Sequence, residues 1–156
     1  MIYSFEPIYD DKSRVLVLGS MASVESLRQG FYYMHPRNRF WPTIARLTGQ
    51  PTPPTKEGKT QCLLAHGIAV MDILYSCNRS GSLDSAITDA VPNDIERVLR
   101  ASRIEKIYCN GRKSYAVASK TYPHLEFCYL PSTSPANAGA WDIAPWLEIG
   151  RYLIRS

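Results

Sequence analysis

The chain opens without a basic stretch leading into an apolar one, and none of its hydrophobic runs is long enough to span a bilayer. Secretory-leader and membrane-spanning readings are thereby set aside, and a soluble, cytoplasmic protein is expected. Its four cysteines, Cys62, Cys77, Cys109 and Cys128, lack paired short spacing. That excludes a legible zinc site or disulfide framework; two of them sit inside apolar runs and read as reduced core thiols. A phosphate-cradling glycine fingerprint and a cluster of metal-ligating side chains are also missing, so neither metal nor organic cofactor is expected. Internal repeats and domain linkers are absent too: QPTPPTKEG, from Gln50 to Gly58, is a proline-rich connection between two helices. One domain over residues 1–156 follows, a size at which a real core is possible.

What is present is a repeated strand signal. RVLVLGS (Arg14 to Ser20) is a short continuous apolar run closed by a glycine, as a strand buried on both faces of a parallel sheet requires. The pattern recurs at Gly67 to Ser76, Ile104 to Gly111 and Leu125 to Ser134. Between these runs, helical spacing appears at Phe40 to Leu47, Lys56 to His66, Pro92 to Ala101, Gly111 to Thr121 and Ala144 to Ile154. Alternating strand and helix predicts an α/β protein: a three-layer α/β/α sandwich around a four-stranded, mostly parallel sheet. Ligands bind beyond the carboxyl ends of such strands, so the loops starting at Gly19, Tyr75, Asn110 and Pro131 should share one site. A net charge of +4 favours a polyanionic partner if the excess gathers on one face.

Two loops carry the chemistry. The stretch after the first strand sets Phe31, Tyr32, Tyr33, His35, Phe40 and Trp41 beside Arg37, Asn38 and Arg39. Rings interleaved with cations suit base stacking and phosphate contact, and they equally suit a plug for the open end of the sheet. The second loop, YLPSTSPANAGAWD, leaves the last strand with small polar residues. Its freed amides and the hydroxyls of Ser132, Thr133 and Ser134 could hold a phosphate, or simply cap a helix. Two further segments are open in the same way. NGRKSY, from Asn110, offers Arg112 and Lys113 to a nucleic-acid backbone or to solvent at a helix start. Asp72, a carboxylate within a buried strand, reads first as the pin of a loop, with contact to a ligand as the alternative. Asp84 reads as the cap of a short helix, His35 as paired with backbone in its turn, and His66 and His124 as surface or helix-end residues.

Together the two loops resemble the uracil-DNA glycosylase superfamily, in particular its mismatch-type and hypoxanthine-DNA glycosylase branches. HPRNRFW (His35 to Trp41) is similar to the family's His-Pro-x-Asn-Arg-Phe-Trp signature, and LPSTSPANA occupies the place of its second motif. The resemblance implies an enzyme that flips a deaminated base, hypoxanthine first and uracil or a mismatched base next, and hydrolyses its N-glycosidic bond without cutting the strand. The partner it implies is duplex DNA with a damaged or mismatched base, or single-stranded DNA, met by a monomer. Met21 stands where the mismatch branch has a water-positioning asparagine, and the hypoxanthine branch places that role on the residue matching Asn38, the catalytic candidate. Tyr33 would hold the plane of the base; Gly19, Ser20, Met21, Asp72 and Ser132 would complete its pocket. Ser132 stands where other branches have histidine or asparagine. Contacts to DNA would come from Arg37, Arg39, Arg112, Lys113 and Ser134, with Ala136 or Asn137 as the wedge. A damage-binding protein that does not cut is the alternative, motivated by Met21 and Ser132. A small-molecule enzyme on the same scaffold leaves the arginines and rings unexplained.

Overall fold

Four short, mostly apolar segments form the central sheet. In the computed structural model, which describes residues 1–154, these are β2 (Val15–Gly19), β3 (Ile68–Asp72), β6 (Lys106–Asn110) and β7 (Cys128–Leu130). They lie in the order β3-β2-β6-β7 and all three pairings are parallel. The central β2 is buried along its whole length because both faces of the sheet are covered. Val15, Val17, Ile68, Val70 and Tyr108 point to one face, under α2 (Phe40–Thr48), α3 (Lys56–Ala65) and a final 3-10 helix, Ala144–Arg151. Their neighbours Leu16, Leu18, Ala69, Met71 and Cys109 point to the other, under α4 (Glu96–Arg100) and α5 (Arg112–Thr121). The alternation of strand side chains thus divides one run of apolar letters between two cores, the three-layer arrangement expected.

Four differences from expectation have physical causes. The run from Gly67 to Ser76 is two strands, because at Ile73 the chain leaves the parallel sheet and enters β4 (Leu74–Asn78). Ile73 and Leu74 stay fully buried through the bend, so hydropathy gives no sign of it. β4 is the centre of a second, antiparallel sheet with β1 (Ile2–Tyr3) and β5 (Thr88–Pro92), whose residues are all exposed and carry no strand pattern. A six-residue helix, α1 (Val24–Gln29), begins on the Ser23 hydroxyl and ends at Gly30 with φ 75°. The last helix is of 3-10 type and begins with Pro145 in its first turn. Among the described residues, no helix is long and apolar enough to cross a membrane.

Candidate active site

At the carboxyl ends of β2, β3, β6 and β7 lies one cavity of about 810 Å³. The segment after α1 resolves the choice between a binding loop and a core plug by dividing the rings. Phe40, Trp41 and Tyr32 are buried in the core. The Trp41 indole donates to the Tyr32 carbonyl at 3.0 Å, and the Tyr32 hydroxyl donates to the carbonyls of Phe5 and Glu6. Tyr33, His35 and Asn38 line the cavity, and Tyr32 reaches its wall from the core. The reversal comes at Tyr33, whose φ of 56° is a left-handed conformation that few non-glycine residues adopt. One face of its ring stacks on Phe40, with centroids 4.1 Å apart and planes at 22°.

Asn38 sits one turn before the core rings. Its side-chain oxygen accepts from the Phe40 amide at 2.8 Å, which fixes the orientation of the carboxamide at the start of α2. A carbonyl oxygen has two lone pairs, so one remains for a water, and the NH2 end adds two donors. The His35 ring nitrogen Nδ1 accepts from the Arg37 amide at 3.1 Å, the backbone pairing expected of it. His66 closes α3 with a ring contact to the Cys62 carbonyl, and His124 is exposed beside Glu96.

Asp72 does not pin a loop. Its carboxylate is buried in the cavity wall and Oδ2 has no hydrogen-bond partner, while the neighbouring loop is held by its backbone carbonyl, which accepts from Asn93. Burial pushes its pKa up to about 7, against the Arg79 guanidinium, which lowers it, and with Asp84, which raises it. Across Gly19 stands the Tyr33 hydroxyl, also buried without a partner in hydrogen-bond geometry; its pKa is raised by burial and by Asp72. A β-carbon on Gly19 would lie 2.5 Å from Asp72 Oδ1 and 2.6 Å from that hydroxyl. The Asp72 side chain is buried and the Tyr33 ring is stacked on Phe40, so neither has room to give way, and Gly19→Ala is expected to destabilise the fold by about 1–3 kcal/mol through overpacking. A chemical denaturation midpoint equal to the parent's would refute that.

The second loop is held from three sides. Asn110, at the end of β6, donates through Nδ2 to the Thr133 hydroxyl and accepts from the Thr133 amide through Oδ1, both at 3.0 Å. The Trp146 indole donates to the Pro131 carbonyl at 2.8 Å, and the Arg39 amide donates to the Thr133 carbonyl at 3.0 Å. Ser132 faces the cavity, and its hydroxyl oxygen accepts from the Ser134 amide. Ser134 is a cap, accepting from the Ala136 amide at 3.2 Å at the start of the 3-10 helix Pro135–Ala140. Its hydroxyl proton is still there to donate. Asn137 donates through Nδ2 to the Ser132 carbonyl at 3.0 Å and so holds the turn. Ala136 is exposed and offers one methyl group.

On the rim, Arg112 and Lys113 line the cavity at the start of α5, with the Arg112 guanidinium 5.9 Å from the centre of the Tyr129 ring. Arg37 and Arg39 line an adjoining hollow with Ala136, and Arg39 lies over Trp141. Ser20 and Met21 complete the floor beside Gly19. Asp84 is not a helix cap: Leu83 takes that position, and the Asp84 carboxylate accepts the Ser20 hydroxyl at 2.7 Å. Sequence reasoning missed Asn110 and Thr133 as the clasp of the site, although NG at a strand end marks the place. It also missed Ser26, which lines the cavity and accepts the Met34 amide.

A paired-loop cavity of this kind, closed by a signature asparagine and a serine-rich turn, has a counterpart among known proteins. The model of the uracil DNA glycosylase superfamily matches residues 6–149. The chain belongs to that superfamily and is an enzyme of the DNA glycosylase class. Among its relatives, a hypoxanthine DNA glycosylase of Methanosarcina acetivorans is 33% identical over 140 residues, spanning 85% of this chain and 86% of that protein. A hypoxanthine DNA glycosylase of Methanosarcina barkeri is 28% identical over 113 residues, 70% of this chain and 71% of that one. The fold matches the solution NMR structure of a candidate uracil DNA glycosylase from Methanosarcina acetivorans with a TM-score of 0.84 and 29% identity, over 96% of both chains.

Proposed function

We propose that the cavity receives a single deaminated base extruded from DNA, hypoxanthine in first place and uracil next, and that the enzyme hydrolyses its N-glycosidic bond. The observation that carries this reading is the convergence of Asn38, Tyr33 and Asp72 on one hollow bordered by the Ser132 to Asn137 turn. Extrusion costs a few kcal/mol and costs least where the pair is already weak, which favours deamination products over normal bases. As the bond between C1′ and the base breaks, its electron pair goes to the base and positive charge grows on the sugar. A water held by the Asn38 carboxamide then adds to C1′, and the proton it loses neutralises the departing base anion.

The departing base needs hydrogen-bond donors on its edge. A protonated Asp72 supplies one and the Tyr33 hydroxyl another, and both are buried and poised with hydrogen-bonding capacity to spare. Arg112, Lys113, Arg37, Arg39 and the Ser134 hydroxyl are the groups to follow phosphates. The reaction forms no bond to the protein, so the product is an abasic strand that breaks only on alkali treatment. The test is a panel of labelled oligonucleotides, duplex and single-stranded, each with one hypoxanthine, one uracil or only normal bases. Alkali-labile sites at hypoxanthine above uracil are expected; no release from either lesion would end the reading. Retained binding to damaged duplex in that event would favour the non-cutting alternative, to which Met21 at the position of the usual asparagine already points.

A further inference from the structure

Extruding a base leaves a gap in the duplex, and a side chain that occupies the gap keeps the base out. The turn at residues 132–137 is poorly equipped to do so: Ala136 is one methyl group and the Asn137 amide is bound to Ser132. On the opposite rim runs the connection between β4 and β5, and there Leu83 lines the cavity while remaining 60% exposed. Among the described residues, Leu83 and Tyr129 are the large apolar side chains of the cavity wall that stay exposed. Tyr129 is already engaged, by Arg112 over its ring and by Tyr115 at its edge.

The backbone that presents Leu83 is fastened on both sides to the loop after β2. The Val24 amide donates to the Ser82 hydroxyl at 2.8 Å, and the Ser20 hydroxyl donates to Asp84 at 2.7 Å. The Arg79 guanidinium donates to the Ala22 carbonyl. Behind Leu83 a 3-10 turn closes, with the Ala86 amide donating to the Leu83 carbonyl at 3.1 Å. A flexible loop would fold an exposed leucine back onto the protein; this one is held out.

We infer that Leu83 is the wedge of this enzyme, entering the base stack from the β4–β5 side as the lesion enters the cavity. The inference rests on the glycosylase reading above and deepens it. Between stacked bases the leucine leaves water for an apolar slot, and its anchored backbone resists the closing of the duplex. Single-stranded DNA has no stack to hold open, so the role is confined to duplex substrates.

The test compares single-turnover base release from one hypoxanthine oligonucleotide in duplex and single-stranded form. Leu83→Ala should slow release from duplex by about tenfold or more and leave the single-strand rate within about twofold of the parent's. Leu83→Met should keep most of the duplex rate. A duplex with a pyrene nucleotide opposite the lesion, which fills the gap unaided, should restore the alanine variant. An unchanged duplex rate, or equal losses on both substrates, overturns the wedge. If the unsubstituted enzyme releases no base from either form, the glycosylase reading itself fails and the wedge with it.

Discussion

Replacing Asn38 by alanine should lower the rate of base release by about 10²–10³-fold, the loss seen when a single oriented polar group at a reaction centre is removed. Binding to lesion-containing duplex should change by less than about threefold, because the side chain acts on water rather than on phosphate. The same carboxamide accepts the amide of Phe40, the first residue of α2, so the variant also loses roughly 1 kcal/mol of stability. Asn38→Asp separates the two roles. A carboxylate accepts the Phe40 amide as well as a carboxamide does, and should restore the melting temperature. It cannot restore the NH2 donors, so a rate that recovered fully with aspartate would assign the water to the side-chain oxygen and make the NH2 end dispensable. Alanine at parental speed would remove it from the chemistry altogether.

The second large effect is on pH. If a protonated Asp72 donates a hydrogen bond to the edge of the leaving base, release should fall above about pH 7, where its carboxyl ionises, with the slope approaching about tenfold per pH unit. The groups that face it set that position: burial and Asp84 raise it, Arg79 lowers it, and the Tyr33 hydroxyl lies across Gly19. Asp72→Asn keeps a donor that cannot ionise and should flatten the profile between pH 7 and about 9. Persistence of the same alkaline fall in that variant would assign it to another group. Stability should follow the same titration. The folded state holds the proton up to about pH 7, whereas the unfolded chain releases it near its ordinary value of about 4. Stability therefore declines between these two values as pH rises, and the loss is complete above the folded value. Denaturation midpoints of the Asn variant should lack that decline.

The central sheet was legible in the letters because strands buried on both faces must be apolar throughout, and RVLVLGS can hardly be anything else. The bend at Ile73 was not, since burial continues across it. β5 was hidden for the opposite reason: an exposed strand on a small sheet has no pattern to show. Around the site, Asn38 and Tyr33 were visible through a linear motif, and the structure brings both to the cavity as expected. The direction of Asp72 depends on what stands opposite, and Gly19 and Tyr33 arrive there from two other segments. The Asn110–Thr133 pair, 23 residues apart, exists only once the sheet has formed. Leu83 among serines and a glycine says nothing by itself; its meaning comes from the anchors on either side.

The double hydrogen bond between Asn110 and Thr133 bears on how recognition is driven. It lies within the protein itself, together with the bonds from Trp146 and Arg39. One wall of the receptacle is therefore tied by the protein's own bonds, and little ordering entropy is left for that wall to lose on complex formation. The deformability of the DNA, rather than that of the protein, then becomes the quantity by which this wall sorts damaged sites from intact ones.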